Sequence, residues 1–236
     1  MTTARLDTGD LDARVREMYR EVAEKPEREF HFETGRALAE RLGYPPADLD
    51  RIPAGAVDSF AGVGYFLDLA AIRPGETVLD LGSGSGTDSL IAALHTGRDG
   101  RVIGVDMTDA QLAKAERLAR EGGFTQVEFR RGRIEEPVVD PGTVDCIISN
   151  GVINLSPDKP AVFAEAARAL RPGGRLALAD IVTAVDLPEG VTCDAALWAA
   201  CIGGAIRRDR YLDVIEAAGL AVSEVRENTA YRLISE

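Results

Sequence analysis

Histidine is almost missing from this sequence. Only His31 and His95 occur in 236 residues, so an imidazole-built metal centre is not expected. Cysteine is nearly as scarce. Cys146, Cys193 and Cys201 show no CxxC spacing, which leaves no zinc motif and fits a reducing cytoplasm better than a disulfide framework. No run approaches the ~20 apolar residues of a membrane span, and the start lacks an apolar signal-peptide core. A cytoplasmic chain without a membrane partner is expected. Positive charge is also short: 27 Lys and Arg face 39 Asp and Glu, a formal net charge of −12. Nucleic-acid binding leans on basic patches that release counterions, so no nucleic-acid partner is expected. What remains is ordinary for a globule, with 45% hydrophobic and 28% charged residues. The length suits one α/β domain with additions, or at most two small domains.

The stretch Glu76 to Gly86, ETVLDLGSGSG, organises the chain. Thr77-Val78-Leu79 is a short apolar run of the kind that makes a buried strand. Asp80 closes it, and Gly82, Gly84 and Gly86 follow at every second position. Glycines there let the backbone turn tightly and let a ligand lie on main-chain N–H groups. Thr87 or Asp88 is placed to cap a helix over Ser89 to His95. The next strand, Arg101 to Val105, ends in Asp106, about 20 residues beyond the glycines, where an acid can accept hydrogen bonds from a ribose diol. Strand, loop, helix, strand and acid together indicate an adenosine-containing cofactor in a doubly wound domain. Asp80 disfavours a diphosphate, which a neighbouring carboxylate repels, and suits a ligand with a cationic amino group.

At these residues the chain resembles the class I S-adenosylmethionine-dependent methyltransferases, whose first motif looks like VLDLGSGSG. The resemblance implies S-adenosyl-L-methionine as cofactor. It is held by Asp80, Gly82, Ser83, Gly84, Gly86, Asp106, Met107 and Gln111, by Gly132-Arg133-Ile134-Glu135 at the adenine edge, and by Asn150. Met107 would pack on the adenine, although methionine also serves as plain core filler.

Periodicity supplies the frame. Leu11 to Glu24 reads as a helix, then Thr34 to Leu42, a turn at Ala47 to Asp50, and an apolar helix over Tyr65 to Ala71. Residues 1–75 are thus expected to form a helical cap or substrate lid, and residues 76–236 a Rossmann-like core with a helical insert near 186–207. Later strands are expected at Val127 to Arg130, Val144 to Ser149, Arg175 to Ile181, Ala221 to Glu227 and Ala230 to Ile234. The intervening helices run over Asp109 to Glu121 behind a Thr108 cap, from Pro160 to Leu170, and over Arg208 to Ala218. The result is an α/β fold with a seven-stranded, mostly parallel sheet.

The resemblance narrows further. Phe30-His31-Phe32, Arg41-Leu42-Gly43-Tyr44, the run Ile148 to Lys159 and Cys201-Ile202-Gly203-Gly204-Ala205 look like the arsenite methyltransferases. Those enzymes hold As(III) on three thiolates, soft ligands for a soft ion. Here Gly151 stands where one family cysteine falls, no cysteine precedes Cys146, and Cys201 alone remains. The expected function is methyl transfer to a small organic molecule, with a tailoring step in secondary metabolism as the setting. The alternatives are an arsenite methyltransferase with an atypical site, or a cofactor-binding protein without methyl transfer. Candidate catalytic residues are His31, Tyr19 and Asn150. Candidate substrate residues are Tyr19, Tyr65, Asn154, Trp198, Cys201 and Arg207. A monomer or homodimer is expected.

Overall fold

A computed structural model describes residues 8–194, 197–198 and 201–231. Five strands make one sheet in the order β3-β2-β1-β4-β5, every pairing parallel: β1 Thr77–Leu81, β2 Arg101–Asp106, β3 Val127–Arg131, β4 Val144–Asn150 and β5 Leu170–Ala179. Successive strands step outward on one side from β1 to β3 and on the other from β4 to β5. The order reverses between β1 and β4, and a crevice opens there at the carboxyl ends. Near-continuous apolar runs such as Val144 to Ser149 suit strands covered on both faces.

Helices α1 (Thr8–Glu24), α2 (Arg36–Leu42), α3 (Pro46–Leu49), α4 (Ala54–Asp58) and α5 (Leu67–Ala70) precede the sheet. Helices α6 (Thr87–Thr96), α7 (Asp109–Glu121) and α8 (Lys159–Ala169) connect its strands; α9 (Glu189–Thr192) and α10 (Arg208–Ala217) follow it. Residues 36–70 do not bury their apolar side chains apart from the rest. Leu38, Tyr44, Phe60 and Phe66 share one buried cluster with Val78, Leu90 and Ile148. A second cluster on the other face joins Leu79, Ile103 and Ile147 to Phe163 and Tyr211. Ile148→Val removes one methylene from the first cluster, where Ile148 is fully buried. Its expected cost is about 1 kcal/mol. A lower urea midpoint with an unchanged slope would show it.

The sheet departs from the expected seven strands. Ala221 to Glu227 carries no strand pairing, and the Ala230 to Ile234 strand falls mostly outside the described residues. Arg226 instead pairs with Asp68, and the Arg41 guanidinium donates to the Ala230 carbonyl, so this stretch is held by side chains rather than by a ladder. β5 starts five residues before Arg175, across a register shift against β4, and stops at Ala179. The Gly-rich stretch after Pro53 holds a short helix, α4, that its composition hid. The α6 cap differs as well. Gly86 occupies the cap position in the left-handed region, and neither Thr87 nor Asp88 caps. Both lie inside the helix with other partners. Thr87 donates to the Ala56 carbonyl at 2.9 Å. Thr108 sits at the α7 cap position without a side-chain bond, whereas Asp158 caps α8 through the Ala161 amide at 3.0 Å.

Candidate active site

The crevice at the strand ends holds a cavity. Each parallel strand delivers its C-terminal residues to it: Asp80 and the Gly82 loop from β1, Asp106 and Met107 from β2, Gly132 to Glu135 after β3, and Asn150 to Val152 from β4. From the other side Asp12, Val15 and Tyr19 of α1, with Ser59 to Gly62, close it. Helix α7 ties α1 across this opening. The Gln111 amide donates to the Tyr19 carbonyl at 2.9 Å, and the Lys114 ammonium donates to the Ala23 carbonyl at 2.9 Å. The Ala23 carbonyl lies in the last turn of α1, where helix carbonyls lack an intrahelical partner. Arg133 adds an ion pair to Asp12.

Asp106 is fixed at both oxygens. The Gly84 amide donates to one at 3.0 Å and the Thr108 amide to the other at 2.8 Å. A carboxylate oxygen accepts more than one bond, so acceptor capacity remains on the cavity side. Desolvation pushes its carboxyl up, against those backbone bonds. The loop beside it is shaped by glycine. Gly82 has φ +75, and a Cβ there would lie 2.4 Å from Val152. The Ser83 hydroxyl lines the cavity, buried, with no partner. Along the same wall Glu135 accepts from Ser156, and Ser85 donates to Gln111 at 2.5 Å.

A buried acid pair lines the cavity. Asp80 accepts from Ser89 at 2.5 Å, and Asp88 accepts from the Tyr44 hydroxyl at 2.6 Å and from the Asn150 amide at 3.1 Å. Burial pushes both carboxyls up, and Asp80 rises further because Asp88 is beside it. Asn150 is fully engaged. Its amide also donates to the Tyr44 oxygen at 2.9 Å and to the Gly64 carbonyl at 3.0 Å, while its carbonyl accepts from the Val63 amide at 2.8 Å. It stitches residues 44–64 to the end of β4. Neither Asp88 nor Tyr44 was expected in the site. The helix pattern of α6 made Asp88 read as a cap, and only the tertiary fold brings Tyr44 to it.

The described residues bring together Tyr19, Asp80, Gly82, Ser83, Gly84, Asp106, Met107, Gln111, Gly132, Arg133, Ile134, Glu135 and Asn150 around one cavity. Gly86 stands behind the loop as the α6 cap. The remaining candidates lie elsewhere. His31 is exposed and not on the cavity, because α1 and residues 59–62 occupy that wall. Tyr65 packs edge-on to Tyr44, ring centroids 5.0 Å apart, away from the lining. Asn154 is fully buried, donating to the Ile181 carbonyl at 2.6 Å. Trp198 is buried on Leu11 and Val15 of α1 and donates to the Thr192 carbonyl. Arg207 faces solvent, paired with Asp209. Cys201 lies just behind the lining. Its thiol donates to the Gly151 carbonyl at 3.1 Å and meets the Tyr19 hydroxyl at 3.4 Å.

The comparisons fit this geometry. A family described as a methyltransferase domain matches residues 72–219, more than half of the chain. The chain belongs to this methyltransferase family. The arsenite methyltransferase of Halobacterium salinarum is 42% identical over 193 residues, 82% of this chain and 49% of the relative. The chain therefore spans about half the length of that relative. The nocamycin O-methyltransferase of Saccharothrix syringae is 33% identical over 184 residues, 75% of this chain and 61% of the relative. Among solved structures, an arsenic(III) S-adenosylmethionine methyltransferase from Chlamydomonas reinhardtii superposes with a TM-score of 0.62 at 35% identity. That match covers 78% of this chain and 62% of the other. S-adenosylmethionine is the cofactor this family brings to the cavity. The residues present suit it: an acid at the end of β2, an unpartnered buried serine hydroxyl, and an acid pair suited to a cation.

The thiol arrangement differs from what arsenic requires. Among the described residues no group of three or more His, Cys, Asp or Glu is arranged to hold a metal ion. Cys146 points from β4 toward the Ala70 carbonyl. Burial pushes the Cys146 and Cys201 thiols up to about 12, which keeps them protonated at neutral pH. Gly151 has φ +69, and a Cβ there would meet Val63 at 3.2 Å.

Proposed function

We propose that the chain transfers a methyl group from S-adenosylmethionine to a small organic acceptor. The thiol set carries the choice of acceptor. Gly151 removes one soft ligand, and Cys201, protonated and bonded to the Gly151 carbonyl, is a poor thiolate. A bound S-adenosylmethionine would supply an activated methyl, so positioning and exclusion of water are what the chain itself contributes. Asp106 and Glu135 would hold the nucleoside, and Val15, Tyr19, Phe60 and Val152 enclose the rest of the cavity with mostly apolar surface. No histidine or lysine lines the cavity among the described residues. That favours an acceptor already nucleophilic near pH 7, or one whose proton leaves to water. The 33% identity with the nocamycin O-methyltransferase supports transfer to an organic acceptor in a tailoring step.

The second reading, arsenite methylation, draws on the 42% identity with the Halobacterium enzyme. Turnover with methyl-labelled cofactor, run in parallel against arsenite and a panel of small organic acceptors, separates the two. Label should appear on an organic product and not on arsenic. Cys201→Ser removes the soft ligand but keeps a donor for the Gly151 carbonyl. Organic transfer should then stay within about threefold, less than 1 kcal/mol in the barrier. Arsenite-dependent turnover that Cys201→Ser abolishes would replace the organic reading with the arsenic one.

A further inference from the structure

Five carboxylates line the cavity: Asp12, Asp80, Asp88, Asp106 and Glu135. Among the described residues Arg133 is the one Lys, Arg or His on that lining, and acids already hold it. It pairs with Asp12 and lies 3.5 Å from Glu135. Two lysines stand behind the wall, and both are engaged. Lys114 donates to the Ala23 carbonyl at 2.9 Å and to the Ser59 hydroxyl at 2.6 Å. Lys159 is 6% exposed, donates to the Ser156 carbonyl at 3.2 Å and lies over the Trp198 ring. S-adenosylmethionine brings a single net positive charge, which does not balance five acids. An anion entering beside it would meet like charge, and partly buried charges are screened far less than exposed ones.

The donors that a desolvated anion needs are spent as well. The Gln111 amide donates to the Tyr19 carbonyl, and the Ser59 hydroxyl donates to the Val22 carbonyl at 2.9 Å. Ser85 donates to Gln111, and the Asn150 amide is shared among Tyr44, Gly64 and Asp88. The unpartnered Ser83 hydroxyl belongs to the glycine loop. The rest of the wall offers surface without charge. Val15 and Phe60 are buried on it, with Ala61, Val152 and Leu155 beside them. Gly62 brings this segment against the end of β4, since a Cβ there would lie 2.4 Å from the Asn150 amide. We propose that the cavity selects its methyl acceptor by charge: the acceptor is an apolar molecule without a carboxylate, sulfate or phosphate, and the acid lining with its engaged arginine turns anions away. This inference rests on the proposed methyl transfer to an organic molecule and adds the chemical class of that molecule.

Fluorescence titration of the protein saturated with S-adenosylhomocysteine tests it with two probes of nearly the same shape. 2-Naphthol is uncharged at neutral pH, and 2-naphthoate is an anion. Naphthoate should bind at least about tenfold more weakly than naphthol, because like charge across a binding surface suppresses the wrong partner. Ala61→Lys places a cation on the same wall, at a half-buried position outside the proposed cofactor contacts. It should bring naphthoate to within about threefold of naphthol while S-adenosylhomocysteine binding holds. Naphthoate binding as tightly as naphthol to the wild-type protein would overturn the inference. So would a preference that Ala61→Lys leaves untouched, since the discrimination would then arise elsewhere. Binding of neither probe would overturn it too, as an apolar acceptor site should take naphthol. Failure of the wild-type protein to bind S-adenosylhomocysteine would instead strike at the cofactor reading, so the two failures are distinguishable.

Discussion

Asp106→Ala should weaken binding of S-adenosylmethionine and S-adenosylhomocysteine alike, by about a hundredfold. Two effects add. The first is direct. A carboxylate that accepts from a ribose diol makes charge-assisted bonds, each worth about 1.5–3 kcal/mol when lost, and one such loss already exceeds tenfold. The second acts through the loop. Asp106 accepts from the Gly84 amide at 3.0 Å and from the Thr108 amide at 2.8 Å, so it spans the β1 loop and the start of α7. Alanine leaves both amides without that partner and loosens the loop that shapes the cavity. Asp106→Asn separates the two contributions. An asparagine can still accept from Thr108, but it presents an N–H toward the Gly84 amide, which is itself a donor. Its loss should therefore approach that of alanine. Calorimetry on both variants reads this directly. A loss below tenfold for alanine would mean that the end of β2 does not hold the nucleoside.

The wall of the cavity built by β1, its glycine loop and β2 was legible because its signals are local. A buried strand, a glycine loop and an acid at the end of the next strand lie within Thr77 to Asp106, and parallel pairing of β1 with β2 brings them together whatever the rest of the chain does. Hydrophobic periodicity likewise placed α1, α7 and α10 to within a few residues. The acceptor side has no such local rule. Asn150 read as a catalytic and cofactor-binding candidate, yet its side chain is spent on Tyr44, Val63, Gly64 and Asp88, residues 62 to 106 positions away. Trp198 and Asn154 carry the residue types of a pocket, and tertiary packing buried both. Asp88 shows the converse. A polar residue in the first turn of a helix satisfies a capping pattern, but the glycine before it takes the cap position and leaves its carboxylate to face the cavity. The last expected strands alternated well enough on paper. Ala221 to Glu227 nevertheless forms no strand, since period-two patterning does not specify a partner.

The ligand-free protein should melt at a higher temperature at pH 5.5 than at pH 8, and Asp180→Asn should flatten that difference. Asp180 accepts from the Ile181 amide at 2.9 Å, the Tyr211 hydroxyl at 3.0 Å and the Asn154 amide at 3.1 Å. Desolvation nevertheless outweighs those bonds and raises its carboxyl from 3.8 to about 6. Asp80, Asp88 and Asp106 are raised for the same reason. The folded state therefore binds more protons than the unfolded chain between pH 4 and the folded value, and stability falls as pH rises through that window. For Asp180 alone the loss over the whole window is about 3 kcal/mol, at roughly 1.4 kcal/mol per tenfold, of which less than about 1 kcal/mol falls above pH 5.5. Glu76 and Glu128, held low by arginines, act in the opposite sense but only below their ordinary range. Lys159, lowered to about 8 by burial, gains stability only as pH climbs beyond that value. Neither offsets the carboxyls between pH 5.5 and 8. General repulsion from a net charge of −12 acts in the same direction, so Asp109→Asn, an exposed removal of one charge, is the control. Melting curves across that range should flatten for Asp180→Asn and not for Asp109→Asn. A midpoint that rises from pH 5.5 to 8 in the wild-type protein would mean that these carboxyls ionise without cost, and the acid pair would then need no cation to sit where it does.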